Sequence, residues 1–187
     1  RAWPRGDGGR TRPADGRRGQ TGGSGVREKI DIRARLDRAE SQFQSLINQS
    51  LFPVQSRRNL PQVPAIYVFY DNAVPVHVGR CRKLRDRING QCSGTIYSSS
   101  FAFKKTRERV ADIKGDERYL RAAYKREWSR KELFERSYFR EEFNLVIEWI
   151  KSIHLRFLQV EDDVDQYLLE LVAANELRVS LDEFRTT

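Results

Sequence analysis

Between Ala65 and Arg87 the chain runs through two short apolar segments, a glycine and a basic amphipathic stretch. This succession constrains the fold more than any other part of the sequence. Ile66-Tyr-Val-Phe-Tyr reads as a strand, Asp71-Asn72 as a turn and Val74 to Val78 as its antiparallel partner. Pro75 has no backbone donor, so the partner strand belongs at a sheet edge or starts there. If Tyr67 and His77 oppose each other, the loop centres on Asn72 and spans three or five residues, both common hairpin lengths. Their side chains then share one face with Ala65, Phe69 and Gly79, because side chains alternate along a strand. The opposite face, with Ile66, Val68, Val76 and Val78, makes the better core. We therefore expect the Tyr67–His77 face to be the less buried one, with Gly79 open to a ligand or a backbone.

Elsewhere the periodicity is mostly helical. Leu36, Ala39, Phe43, Leu46 and Ile47 recur at helical spacing within residues 31–51, and Asp31 stands ready as the N-cap. Pro53, Pro61 and Pro64 then mark a boundary near residue 60. Residues 82–89 read as a short basic helix with Leu84 and Ile88 on one face, followed by a polar loop over 90–100. A helix spans about 100–112 (Phe101, Phe103, Val110), and Gly115 ends it. Residues 116–151 form a long aromatic-rich helical region broken once. Ile153, Leu155 and Phe157 alternate with His154 and Arg156 as a third strand, and residues 163–177 form the last helix. The expected fold class is α+β, a small three-stranded, mainly antiparallel sheet flanked by helices. The sheet domain covers 61–187, a helix and proline-rich connector cover 27–60, and a tail covers 1–26.

That tail holds eight of the twelve glycines and six arginines, and it has too little apolar surface to offset its ordering entropy. It reads as disordered, either an arginine-glycine arm for nucleic acid or a plain solvated tail. No methionine occurs anywhere in the 187 residues, which points to a processed or partial product. The formal net charge of +9 favours a polyanionic partner, nucleic acid before membrane. No stretch approaches the roughly 18 apolar residues of a membrane span, and no signal peptide opens the chain. Cys81 and Cys92 are too few to staple a secreted scaffold, so a cytoplasmic location is expected. Together with His77 they lack the paired spacing of a zinc site.

Four groups of residues point to phosphate chemistry. Tyr67 and His77 meet on one sheet face. Arg80, Arg82 and Lys83 follow the strand, and Arg87 lies seven residues beyond Arg80, on the same face of the helix by spacing. Arginine's planar fork suits a phosphate better than lysine does; a solvated basic helix has the same composition. Glu170 is the only charge between Asp165 and Glu176, in a run apolar on both sides. Such a carboxylate reaches water at a helix edge, or needs a partner such as Arg87 or a divalent cation. Finally, Arg118, Arg121, Lys125, Arg126, Arg130 and Lys131 are interleaved with aromatics. Most of those aromatics read as core, and part of the basic side as a nucleic-acid face.

Taken in order, these residues resemble the GIY-YIG nuclease family over residues 64 to about 185. Ala65-Ile-Tyr67 matches the first motif and His77-Val-Gly79 the second. Arg80 to Arg87 looks like the stretch that carries the catalytic arginine, at Arg87; Ser100-Phe-Ala-Phe-Lys resembles a segment of stand-alone members; Glu170 matches the metal-binding glutamate. The resemblance implies a DNA endonuclease using one divalent ion, Mg²⁺ or Mn²⁺. Tyr67 would be a base or orient water, Arg87 would stabilise phosphate charge, and Glu170 would hold the metal. The sequence also departs from the pattern. Ala65 replaces glycine, His77 replaces tyrosine, Gln91 stands where a histidine is frequent, and Asp182 stands in place of an asparagine. His77 could itself serve as a base. With these changes the same fold is also compatible with a weakened, nucleic-acid-binding protein.

Overall fold

The computed structural model describes residues 31–120 and 127–179, which belong to one compact unit. The tail, residues 121–126 and the segment containing Asp182 lie outside the described residues. Helix α1 (Ile32–Ile47) begins at Asp31, whose carboxylate accepts from the backbone N–H groups of Arg33 and Ala34. Strand β1 (Phe52–Pro53) is only two residues long. Strands β2 (Ala65–Asp71) and β3 (Val74–Cys81) form the hairpin, followed by α2 (Leu84–Gln91) and α3 (Ser100–Lys114). Gly115 ends α3 in the left-handed conformation at φ 60°, a position that favours glycine. Helices α4 (Arg130–Glu135) and α5 (Ser137–Ser152) break at Arg136, and a Ser129–Glu132 capping box starts the first of them. Strand β4 (His154–Gln159) and helix α6 (Asp163–Glu176) follow.

The sheet is four-stranded and antiparallel throughout, in the order β1-β4-β2-β3. This corrects the expected three strands: β1 is too short to carry a strand pattern, yet it pairs with β4 through Phe52 and Leu155. Strand β3 lies at the edge among the described residues, where Pro75 costs no sheet hydrogen bond.

Two expectations for the hairpin are overturned. Its connection is a two-residue turn, Asn72-Ala73, with φ of 46° and 69°, the doubly positive geometry that matches strand twist. A bulge beside Phe69 and Tyr70 then shifts the register, so Tyr67 faces Gly79 and His77 faces Phe69. The shift from the expected Tyr67–His77 pairing is two residues, so both side chains still share a face.

That face is also the more deeply buried one, against expectation. Ala65, Tyr67 and Phe69 join Leu84, Ile88, Phe101, Phe103, Phe139 and Phe143 in the larger core beneath α2, α3 and α5. Ile66, Val68, Tyr70 and Val78 face α1 and α6 in a smaller core with Phe43, Leu46, Leu169 and Ala173. Helices thus cover both faces, and β2 is buried along nearly its whole length. Between α1 and α6, the buried carboxylate of Asp165 takes Arg35 at 2.6 Å and Arg38 at 2.9 Å. Of the aromatics in 127–151, Phe139 and Phe143 are fully buried in this core, and Trp128, Phe134, Tyr138 and Trp149 pack against it partly buried. No helix among the described residues is long and apolar enough to cross a membrane.

Candidate functional site

Tyr67 enters the site from the middle of β2, fully buried at 0% exposure, and His77 from β3 at 3%. The Tyr67 hydroxyl lies 3.5 Å from His77 Nε2 and accepts from Arg87 Nε at 3.2 Å. When the imidazole carries its proton on Nδ1, Nε2 becomes the acceptor for the Tyr67 hydroxyl hydrogen. Burial pushes the Tyr67 phenol above its ordinary value, while the Arg87 guanidinium works against that rise. Its hydroxyl, held between Arg87 and His77, is placed to orient its neighbours.

Gly79 was expected to admit a ligand or backbone. Instead the Tyr67 ring occupies that space: a Cβ on Gly79 would come within 2.7 Å of Tyr67 Cζ and the hydroxyl and 3.0 Å of His77 Nε2. The glycine is needed so that the tyrosine can cross the strand opposite it.

Helix α2 carries Arg87 to Tyr67 because Leu84 and Ile88, on the same face of the helix, seat that face in the core that holds Tyr67. Arg87 Nη2 also donates to Ser100 Oγ at 3.1 Å. Gln91 is fully buried and spans the gap between helices, accepting from the Phe101 backbone N–H at 3.2 Å and donating to Ser100 Oγ at 3.5 Å. Phe101 stacks on the His77 ring with centroids 4.4 Å apart and planes 17° from parallel. Neither Ser100 nor Phe101 stood out as a site residue; the Ser-Phe-Ala-Phe run at the start of α3 was the available signal.

Arg80 and Glu170 form a second group. Arg80 belongs to β3, ahead of the helix, and is paired with Ile66, so it leaves on the face opposite Tyr67. The expectation that Arg80 and Arg87 share a face therefore fails, because the helix starts at Leu84 and strand alternation governs Arg80. Its Nε donates to Glu170 Oε2 at 3.0 Å, and its guanidinium lies 3.5 Å over the Tyr167 ring. Glu170 is 14% and Arg80 31% exposed. Arg82 pairs with Asp163 at 3.1 Å on the open surface, and Lys83 is exposed at the start of α2.

The fold thus brings Tyr67, His77, Arg87 and Gln91 together beneath α2 and α3, and Arg80 with Glu170 beneath α6, with edge strand β3 shared by both groups. Among the described residues no cluster of three or more His, Cys, Asp or Glu side chains could hold a metal. A single carboxylate remains a sufficient protein anchor for Mg²⁺, which keeps waters and takes phosphate oxygens from its substrate. The Glu170 carboxylate is already neutralised by the Arg80 guanidinium, which an ion there would displace or sit beside. The chain matches no protein-family model, no curated protein and no solved structure.

Proposed function

We propose that the chain is a GIY-YIG-type endonuclease that hydrolyses DNA phosphodiester bonds with one divalent ion, Mg²⁺ or Mn²⁺. One observation carries this reading: Arg87, Tyr67 and His77, three motif-matched residues within a span of 20 positions, meet around one hydroxyl. Glu170 would hold the ion, which supplies charge neutralisation to the leaving oxygen. Arg87 stabilises negative charge on the phosphate. With its ring proton on Nε2, donated to the Tyr67 hydroxyl, His77 takes the proton of the attacking water on Nδ1, and Tyr67 fixes the ring. Arg82 and Lys83, on the surface beside β3, attract the DNA backbone. Two free cysteines suit a reducing compartment such as the cytoplasm.

A second reading, a weakened nucleic-acid-binding protein on this fold, draws support from the buried state of Tyr67 and from Arg80 on the Glu170 carboxylate. Nicking of supercoiled DNA with Mg²⁺ or Mn²⁺, by the wild type, Glu170→Ala and Arg87→Ala, separates the two. The nuclease reading expects metal-dependent nicking that falls at least a hundredfold in each variant, since one lost charge-stabilising group costs roughly 10²–10³. Undiminished nicking in both variants removes the site assignment. Salt-sensitive binding without nicking by the wild type favours the second reading.

A further inference from the structure

Beside His77, between α3 and the end of α6, lies a cavity of about 240 Å³ whose wall includes Lys104, Lys105, Glu108, Arg178 and the His77–Phe101 stack. Among the described residues that line it are three cations and one carboxylate, which pairs with Lys105 at 2.7 Å. A cavity of this size has room for about eight waters at roughly 30 Å³ each. That suits a phosphate with its adjoining sugar atoms, and excludes a base pair.

Arg178 supplies the second observation. It follows the last turn of α6 at φ 53°, in the left-handed conformation, while the Val179 N–H closes back on the Ala174 carbonyl at 3.0 Å. This is the helix-end position where glycine is the usual residue and a side chain is strained. A cationic side chain occupies that strained position, and it lines the basic cavity. Strain that persists beside a charged concavity points to use of the side chain.

We propose that this cavity is a phosphate subsite for a nucleic-acid strand, holding a backbone phosphate next to His77 through Lys104, Lys105 and Arg178. The proposal rests on the nuclease reading for its substrate class and adds a binding position that Arg80, Arg82 and Lys83 do not provide.

Fluorescence anisotropy of the full chain with labelled single-stranded and duplex DNA, in EDTA and over a range of salt, tests it with Arg178→Gly and Lys105→Gln. Each variant is expected to bind severalfold more weakly, with the salt slope reduced by about one. Arg178→Gly also relieves the left-handed strain, so its melting temperature should not fall below that of the wild type; weaker binding then reports lost contact and not lost fold. Wild-type affinity and salt slope in both variants would overturn the subsite while leaving the nuclease reading intact. Absence of DNA binding by the wild type would overturn both. Arg178-dependent DNA binding without metal-dependent nicking would uphold the subsite and defeat the nuclease reading. Inorganic phosphate and a mononucleotide serve as competitors; a site that either one fills while DNA does not would reassign it to a free phosphate ligand.

Discussion

The two faces of the sheet hold their polar groups by opposite means. Beneath α2 and α3, Tyr67, His77 and Gln91 are almost sealed from water and kept in place by neutral hydrogen bonds and ring stacking, with Arg87 reaching in from the rim. Desolvation disfavours charge there: burial pushes the Tyr67 phenol up and the Cys81 thiol to about 11. Beneath α6 the groups are ionic, Arg80 on Glu170 and two arginines on Asp165, and most of them keep some contact with water. A sheet only one residue thick therefore separates a face that fixes geometry by packing from one that handles charge. The edge strand β3 carries members of both groups, His77 on one face and Arg80 on the other.

If that contrast is right, substitutions of the packed groups on the first face should cost stability, and those of the ionic pair on the second should leave it nearly unchanged. The largest loss is expected from Phe101→Ala, which removes the ring stacked on His77 and Phe69. Truncating a buried phenylalanine costs about 3–5 kcal/mol, measurable by urea denaturation. A cost below about 1 kcal/mol would show that the stack does not hold the site. Gly79→Ala comes next, at about 1–3 kcal/mol, because the new methyl meets the Tyr67 ring. The displaced ring should also appear as a change in tyrosine near-ultraviolet dichroism. An unaltered spectrum and midpoint would break the close-approach account.

A smaller effect concerns pH. In the folded chain burial keeps the Cys81 thiol protonated up to about 11, against an ordinary value of 9.0. The folded state therefore binds more protons than the unfolded state across that interval. This contribution to stability is complete below pH 9 and is lost between pH 9 and about 11. Tyr67 adds a loss of the same sign above pH 10, its ordinary value. Urea midpoints taken from pH 8 to 11 should fall, and Cys81→Ala should flatten the first part of the decline. The smallest effect is expected from Glu170→Gln, which should change stability by less than about 1 kcal/mol since the pair keeps contact with water. A loss as large as that of Phe101→Ala would mean that the ionic face is structural after all.

The order of elements could be read from the sequence because apolar periodicity is local. The Asp31 cap, the Gly115 stop and the edge position of Pro75 are each decided by a residue and its near neighbours. What escaped is non-local. Strand β1 exists only because β4, a hundred residues on, offers it a partner (Phe52 to Leu155). The burial of the Tyr67 face depends on α3 and α5 lying over it, and alternation along β2 does not reveal which face receives more cover. The tight turn was hidden by Ala73, which takes a positive φ where glycine would have been the signal. That Tyr67 and His77 share a face could be read because side-chain alternation survives a two-residue shift of register. That Glu170 meets Arg80 could not, because it depends on which sheet face α6 covers.

Sequence distance also sets an expected order of assembly. Tyr67 lies 10 residues from His77 and 20 from Arg87, whereas Arg80 waits 90 residues for Glu170. Short loops close early and long ones late, so the hairpin with α2 is placed to collapse first as a nucleus. Strand β4 must then insert between β1 and β2, and α6 docks after it. During synthesis the hairpin would be complete while its Glu170 partner was still inside the ribosome. Pulse-labelled hydrogen exchange during refolding should accordingly protect the β2–β3 amides before those shared by β2 and β4.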